Sequence, residues 1–72
     1  MTQRELERMA REAFALAARH EHVRRELERL AVRAGPDALE LWELVETMGR
    51  IGEHELELGR NLLGATAPYA VA

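Results

Sequence analysis

The three histidines of this 72-residue chain each sit beside glutamate, in His20-Glu21-His22 and Glu53-His54-Glu55. Imidazole and carboxylate suit divalent transition metals, and helical bundles build such centres from Glu-x-x-His repeats on facing helices. That repeat is absent here, because the residues three before the histidines are Ala17, Arg19 and Ile51. His20 and His22 stand about 200° apart around a helix, so one ion cannot take both from one chain. Only His20 and Glu55 fall on the apolar seams traced below; His54 lies at the edge of the apolar face and His22 outside it. Two chemistries fit the pair. Buried together, His20 and Glu55 form a charge-assisted hydrogen bond that fixes register at some cost in stability. Alternatively, two copies of His20 and Glu55, aided by His54, hold a divalent transition metal, or the pair is partly exposed and takes part in neither.

Other chemistry has little to stand on. The chain has no Cys and no Ser, which removes thiol and serine nucleophiles, disulfides and thiolate metal sites. Thr2 reads as a helix cap, Thr47 lies mid-helix and Thr66 lies in the tail. No glycine-rich loop follows a strand, and the carboxylates are exposed along helices with no pocket implied. The expectation is a non-enzymatic protein with no cofactor.

The elements that position these residues are helices. Ala, Leu, Glu and Arg, all strong helix formers, supply 45 of the 72 residues. Thr2 with Glu5 and Asp37 with Glu40 make two capping boxes, backed by the apolar staples Met1–Leu6 and Pro36–Leu41. Gly35 suits a C′ position and Pro36 cannot continue a helix. The spacing predicts helix 1 over about 3–33 and helix 2 over about 38–63, the latter stopping near Gly64 with Pro68 preventing resumption. So short a turn dictates an antiparallel hairpin over 1–64, followed by an uncharged tail over 65–72. Residues whose numbers sum to about 71 are expected to lie opposite each other. The tail is mobile, folds back on the apolar stretch Ala13–Ala18, or docks into a larger protein with Tyr69 as anchor.

Hydrophobic spacing is strict on both helices. Helix 1 carries Leu6, Met9, Ala13, Leu16, His20, Val23, Leu27, Leu30 and Ala34, alternating three and four apart. Helix 2 repeats the pattern with Leu41, Leu44, Met48, Ile51, Glu55, Leu58 and Leu62. Beside it runs a second seam of Trp42, Val45, Gly49, Gly52, Leu56, Gly59 and Leu63. Two adjacent seams are more than one neighbouring helix can cover, and such surplus marks a partner interface. The three glycines cost about 0.8–1 kcal/mol each in a helix, which fits a closely approaching backbone. Phe14 lies off the main seam in a stretch apolar all round the helix. The expected architecture is therefore an all-α hairpin with coiled-coil spacing that homodimerises into a four-helix bundle. Its interface is read as Leu41, Trp42, Val45, Met48, Gly49, Ile51, Gly52, Leu56, Gly59 and Leu63, with Phe14.

Charge and composition bound the rest. The net charge of −3 and pI of about 5.6 give no global attraction to nucleic acid. Arg4, Arg8, Arg11, Arg25 and Arg29 fall near the outer face of helix 1, where a hairpin that modulates RNA or DNA would touch phosphates. Interleaved glutamates instead make that a solvated face. Over residues 3–34 eight Arg stand against six Glu, an excess of +2. Over 37–63 seven acids stand against Arg50 and Arg60, an excess of −5. All ten basic residues are Arg, which fits a GC-rich bacterial genome. The longest apolar run is Ala13–Ala18, well short of the roughly 20 residues a membrane span needs. With no apolar leader at the N-terminus, cytoplasmic residence is expected.

Overall fold

The computed structural model describes the backbone over residues 2–70 and the side chains over 2–65. Two helices, α1 (Gln3–Ala34) and α2 (Leu39–Ala70), form one hairpin about 55 Å long. No strand occurs among the described residues.

α1 starts where its cap chemistry says it should. The Thr2 side chain accepts from the Glu5 amide at 3.1 Å, and the Glu5 carboxylate accepts from the Thr2 amide at 3.4 Å. It ends at Gly35, whose amide donates to the Ala31 carbonyl at 3.0 Å. Gly35 has φ +95°, a conformation that L side chains rarely adopt, so glycine is required at this turn. The indole Nε1 of Trp42 donates to the Gly35 carbonyl at 3.3 Å and ties the first turn of α2 to the loop.

Three details differ from the sequence expectations. Asp37 does not cap α2; the Ala38 carbonyl accepts from Leu41 and Trp42 at 3.1 and 3.2 Å, which places the cap one residue later. Asp37 makes no side-chain hydrogen bond among the described residues. α2 does not stop near Gly64 but runs to Ala70, through Pro68. A glycine stop needs positive φ, and among the described residues only Gly35 has it, so Gly64 is simply one more helical residue. The later start of α2 also shifts the register. Phe14 meets Gly59, Arg24 meets Gly49 and His20 meets Glu55, each a little nearer the open end than the expected sum of 71 implies. The Met1 half of the first staple lies outside the described residues.

The helices pack through small side chains. Two adjacent columns of each helix face the other. In α1 these are Leu6, Ala13, His20 and Leu27, with Ala10, Ala17, Arg24 and Ala31 four residues on. In α2 they are Leu41, Met48, Glu55 and Leu62, with Val45, Gly52 and Gly59. The buried hydrophobic core amounts to Ala10, Ala13, Ala17 and Ala31, and no large side chain is fully buried. Alanine and glycine let the helices approach, but they take little apolar surface out of water.

The large residues of both seams point elsewhere. Met9, Leu16, Val23 and Leu30 on α1, with Leu44, Ile51 and Leu58 on α2, are between 36 % and 52 % exposed. Each stands three residues beyond a contact position. Right-handed helices running antiparallel place columns offset in the same sense on the same side of the pair. These seven residues therefore share one broad face of the hairpin. The opposite face carries Glu7, Phe14, Glu21 and Glu28 beside Trp42, Gly49, Leu56 and Leu63. It is more polar and partly closed by Phe14 and Trp42.

Candidate functional interface

The apolar face is laid out in rungs. From the His20–Glu55 contact, steps of three residues on one helix and four on the other bring Leu16 level with Leu58 and Val23 level with Ile51. A further heptad brings Leu30 level with Leu44, each pair matching to about one residue's rise of 1.5 Å. Half-buried Leu27, Met48 and Leu62 lie along the floor between the two exposed columns. The face is thus a continuous strip of Leu, Val, Ile and Met along most of the hairpin, with one polar rung in its middle.

That rung is His20–Glu55. The Nδ1 of His20 and Oε1 of Glu55 are 2.5 Å apart, the only hydrogen bond between side chains of the two helices among the described residues. Their side chains remain 32 % and 16 % exposed, opening onto the apolar face. His54 is exposed and its side chain makes no hydrogen bond among the described residues. His22 is likewise exposed, at the rim of a shallow depression lined by Leu16, Arg19, His20 and Val23. Among the described residues no group of three or more His, Cys, Asp or Glu side chains is close enough to hold a metal ion. One hairpin therefore brings together His20 and Glu55 of the candidate ligands, and not His54.

The residues read from sequence as a dimer interface divide between the surfaces. Ile51 lies on the open apolar face. Leu56 and Leu63, also exposed, lie on the opposite one. Gly59 is buried inside the hairpin, where a Cβ would stand 2.7 Å from the Phe14 ring. Val45, Gly52, Leu41 and Met48 are half-buried in or beside the contact columns, and Trp42 packs at the turn. Gly49 accommodates the stem of Arg24, whose Cδ would lie 3.6 Å from an added Cβ. Gly49 and Gly59 of the second seam thus serve the hairpin's own contact, whereas a Cβ at Gly52 would meet nothing within 4 Å. The open face belongs mainly to Met9, Leu16, Val23, Leu30, Leu44 and Leu58, which the interface reading omitted. Their signal was in the sequence: Ala10, Ala17 and Ala31, one position further on, are the cheaper residues to pack a helix against.

Arg24 occupies a contact column without being a core residue. Its Nε and Nη2 donate to the two oxygens of Glu21 at 2.8 and 2.7 Å, and its Nη1 donates to Glu28 at 3.1 Å. This paired hydrogen bonding, ahead of the simple charge attraction, holds the Glu21 carboxyl at about 2, well below its ordinary value. The guanidinium is raised for the same reason. Beside this cluster, Phe14, Ala17, Ala18, Gly49, Gly52 and Leu56 line a shallow groove on the opposite face. Tyr69, read as a docking anchor, belongs to the helical part of the tail, and its side chain lies outside the described residues.

No protein-family model matches the chain, and no curated protein or solved structure matches it. No helix among the described residues is long and apolar enough to cross a membrane.

Proposed function

We propose that this hairpin is a non-enzymatic interaction module whose primary activity is self-association, a second copy covering the Met9–Leu30 and Leu44–Leu58 columns to complete a four-helix bundle. The observation that carries this is area. The hairpin exposes 5524 Å² at 8.2 kDa, whereas a folded monomer of that mass exposes roughly 4,500 Å². A dimer with the surface usual for its mass would bury roughly 3,500 Å² in total, within the range of obligate homodimers. Among the described residues, seven of the eleven exposed large hydrophobic side chains lie on one face with heptad spacing on both helices, which is the pattern another helical pair fits. A core of four alanines is also too small to stabilise so short a chain by itself, so association and folding would be coupled.

Thermal unfolding followed by circular dichroism over a hundredfold range of protein concentration tests this reading. A melting temperature that rises with concentration supports it. One that is independent of concentration, in a protein that sediments as a monomer, rejects it.

A further inference from the structure

We infer that the second copy docks with its turn at the same end of the bundle, so that α1 of each protomer lies over α2 of its partner. The inference rests on the self-association proposed above and adds the direction of the partner. Two hairpins can bring the same faces together about two different two-fold axes. An axis parallel to the helices puts α1 over the partner's α2 with both turns together. An axis across the helices puts α1 over the partner's α1 and α2 over the partner's α2, with the turns apart. Both make every neighbouring helix antiparallel, so packing alone does not choose.

Charge does. The second arrangement stacks the acidic α2 on its own copy, −5 against −5 over residues 37–63. The residues bordering the apolar face on α1 make the same point locally. With the helix midpoints aligned, Arg19 would meet the partner's Arg19 and Glu12 the partner's Glu26, with Arg33 against the partner's Glu5 as the one attractive match. Turns together, no acid meets an acid along this column: Arg33 comes level with the partner's Glu40, Glu26 with the partner's Thr47, Arg19 with the partner's His54 and Glu12 with the partner's Asn61. Arg19, Arg33 and Glu40 are exposed and make no ion pair within the hairpin among the described residues. Like charges facing each other across a helical interface select against a pairing and so set its orientation.

The arrangement completes the polar rung. An axis parallel to the helices leaves every residue at its own height, so both His20–Glu55 pairs share one layer, flanked by the Leu16–Leu58 and Val23–Ile51 layers. Sliding one hairpin by a heptad would set each pair against leucine or methionine. The rung, half-wet in the hairpin, thus becomes a four-residue layer that fixes the axial register of the dimer.

The chain lacks cysteine, so a single nitroxide can be placed at the turn through Asp37→Cys, a position that is exposed and has no side-chain hydrogen bond. Turns together, pulsed dipolar spectroscopy should read a distance on the order of 15–30 Å, a bundle diagonal plus two label arms. Turns apart, the labels would be separated by about the length of a 32-residue helix, roughly 48 Å. A second label through Ala34→Cys guards against a local effect at the first. A dimer with long distances at both sites, or an equal mixture of short and long, overturns the inference while leaving self-association intact. A monomer by light scattering removes both.

Discussion

Phe14 lays its ring against the bare backbone of Gly59, where an added Cβ would come within 2.7 Å of Cε1 and 2.8 Å of Cζ. Gly52, one heptad nearer the turn on the same column, has nothing within 4 Å of that position. The two glycines therefore carry opposite predictions. Gly52→Ala gains helix propensity without a clash and should stabilise by about 0.8–1 kcal/mol, several degrees of melting temperature. Gly59→Ala gains the same propensity but must displace Phe14, at an overpacking cost of about 1–3 kcal/mol, and should lower the melting temperature. Adding Phe14→Leu should recover most of that loss. A Gly59→Ala protein as stable as Gly52→Ala would show that the ring moves away freely.

The open face predicts the effect of a charge placed on it. Ile51→Arg or Val23→Glu would bury an unpaired charge twice in a symmetric dimer. The expected penalty of several kcal/mol corresponds to a loss of association of at least about a hundredfold. Leu56→Glu, on the opposite face, should leave the association state unchanged. Sedimentation velocity across a dilution series separates the faces, and equal effects from both would contradict the assignment.

His20 and Glu55 call for a pair of variants. Glu55→Leu alone leaves the His20 ring without its partner in a half-buried site and should destabilise by about 1–3 kcal/mol in urea unfolding. Replacing both residues by leucine removes two desolvated polar groups and should be neutral or stabilising, as is common when a buried pair is exchanged for apolar side chains. If the double variant were the less stable one, the pair would be a source of stability and not of register.

The same pair gives an expectation for metals. With only His20 and Glu55 brought together in each hairpin, and His54 apart from them, chelation followed by addition of zinc, manganese or iron should leave the melting temperature unchanged. A rise with one of these ions would revive a metal centre built from two copies of the rung.

Glu21 sets a pH window. Its carboxyl, held at about 2 by Arg24 against an ordinary value of 4.5, is depressed in the folded state. Its contribution is therefore fully present above the unfolded value and is lost as pH falls from about 4.5 towards 2. An NMR titration of the Glu21 side-chain carboxyl should show a midpoint well below the ordinary 4.5. Arg24→Gln should raise it towards the ordinary value, the remaining depression coming from Arg25, whose Nε also donates to Glu21.

Much of the hairpin was legible in the chain. Thr2 with Glu5, Gly35 before Pro36, and the alternation of threes and fours dictate two antiparallel helices and the turn between them. Less legible was which of two adjacent columns each helix would use against the other. Leu16 and Ala17 are both acceptable contact residues by hydrophobic spacing. The hairpin buries Ala17 in its contact, beside the close approach of Phe14 to Gly59, and this turns Leu16 outward. That choice depends on both helices at once, so no single-helix pattern contains it. The end of α2 was misread for a local reason, since Gly64 and Pro68 look like stop signals but Gly64 keeps a helical φ. The His20–Glu55 contact was readable in kind, because both polar residues interrupt otherwise apolar seams, but the expected register set them roughly one turn apart.

On this reading a second copy of the chain covers the Met9–Leu30 and Leu44–Leu58 columns. Molar mass by light scattering of the folded protein at micromolar concentration tests it most directly. A single species at twice 8.2 kDa is predicted. A fully helical, cooperatively melting species at 8.2 kDa would contradict it.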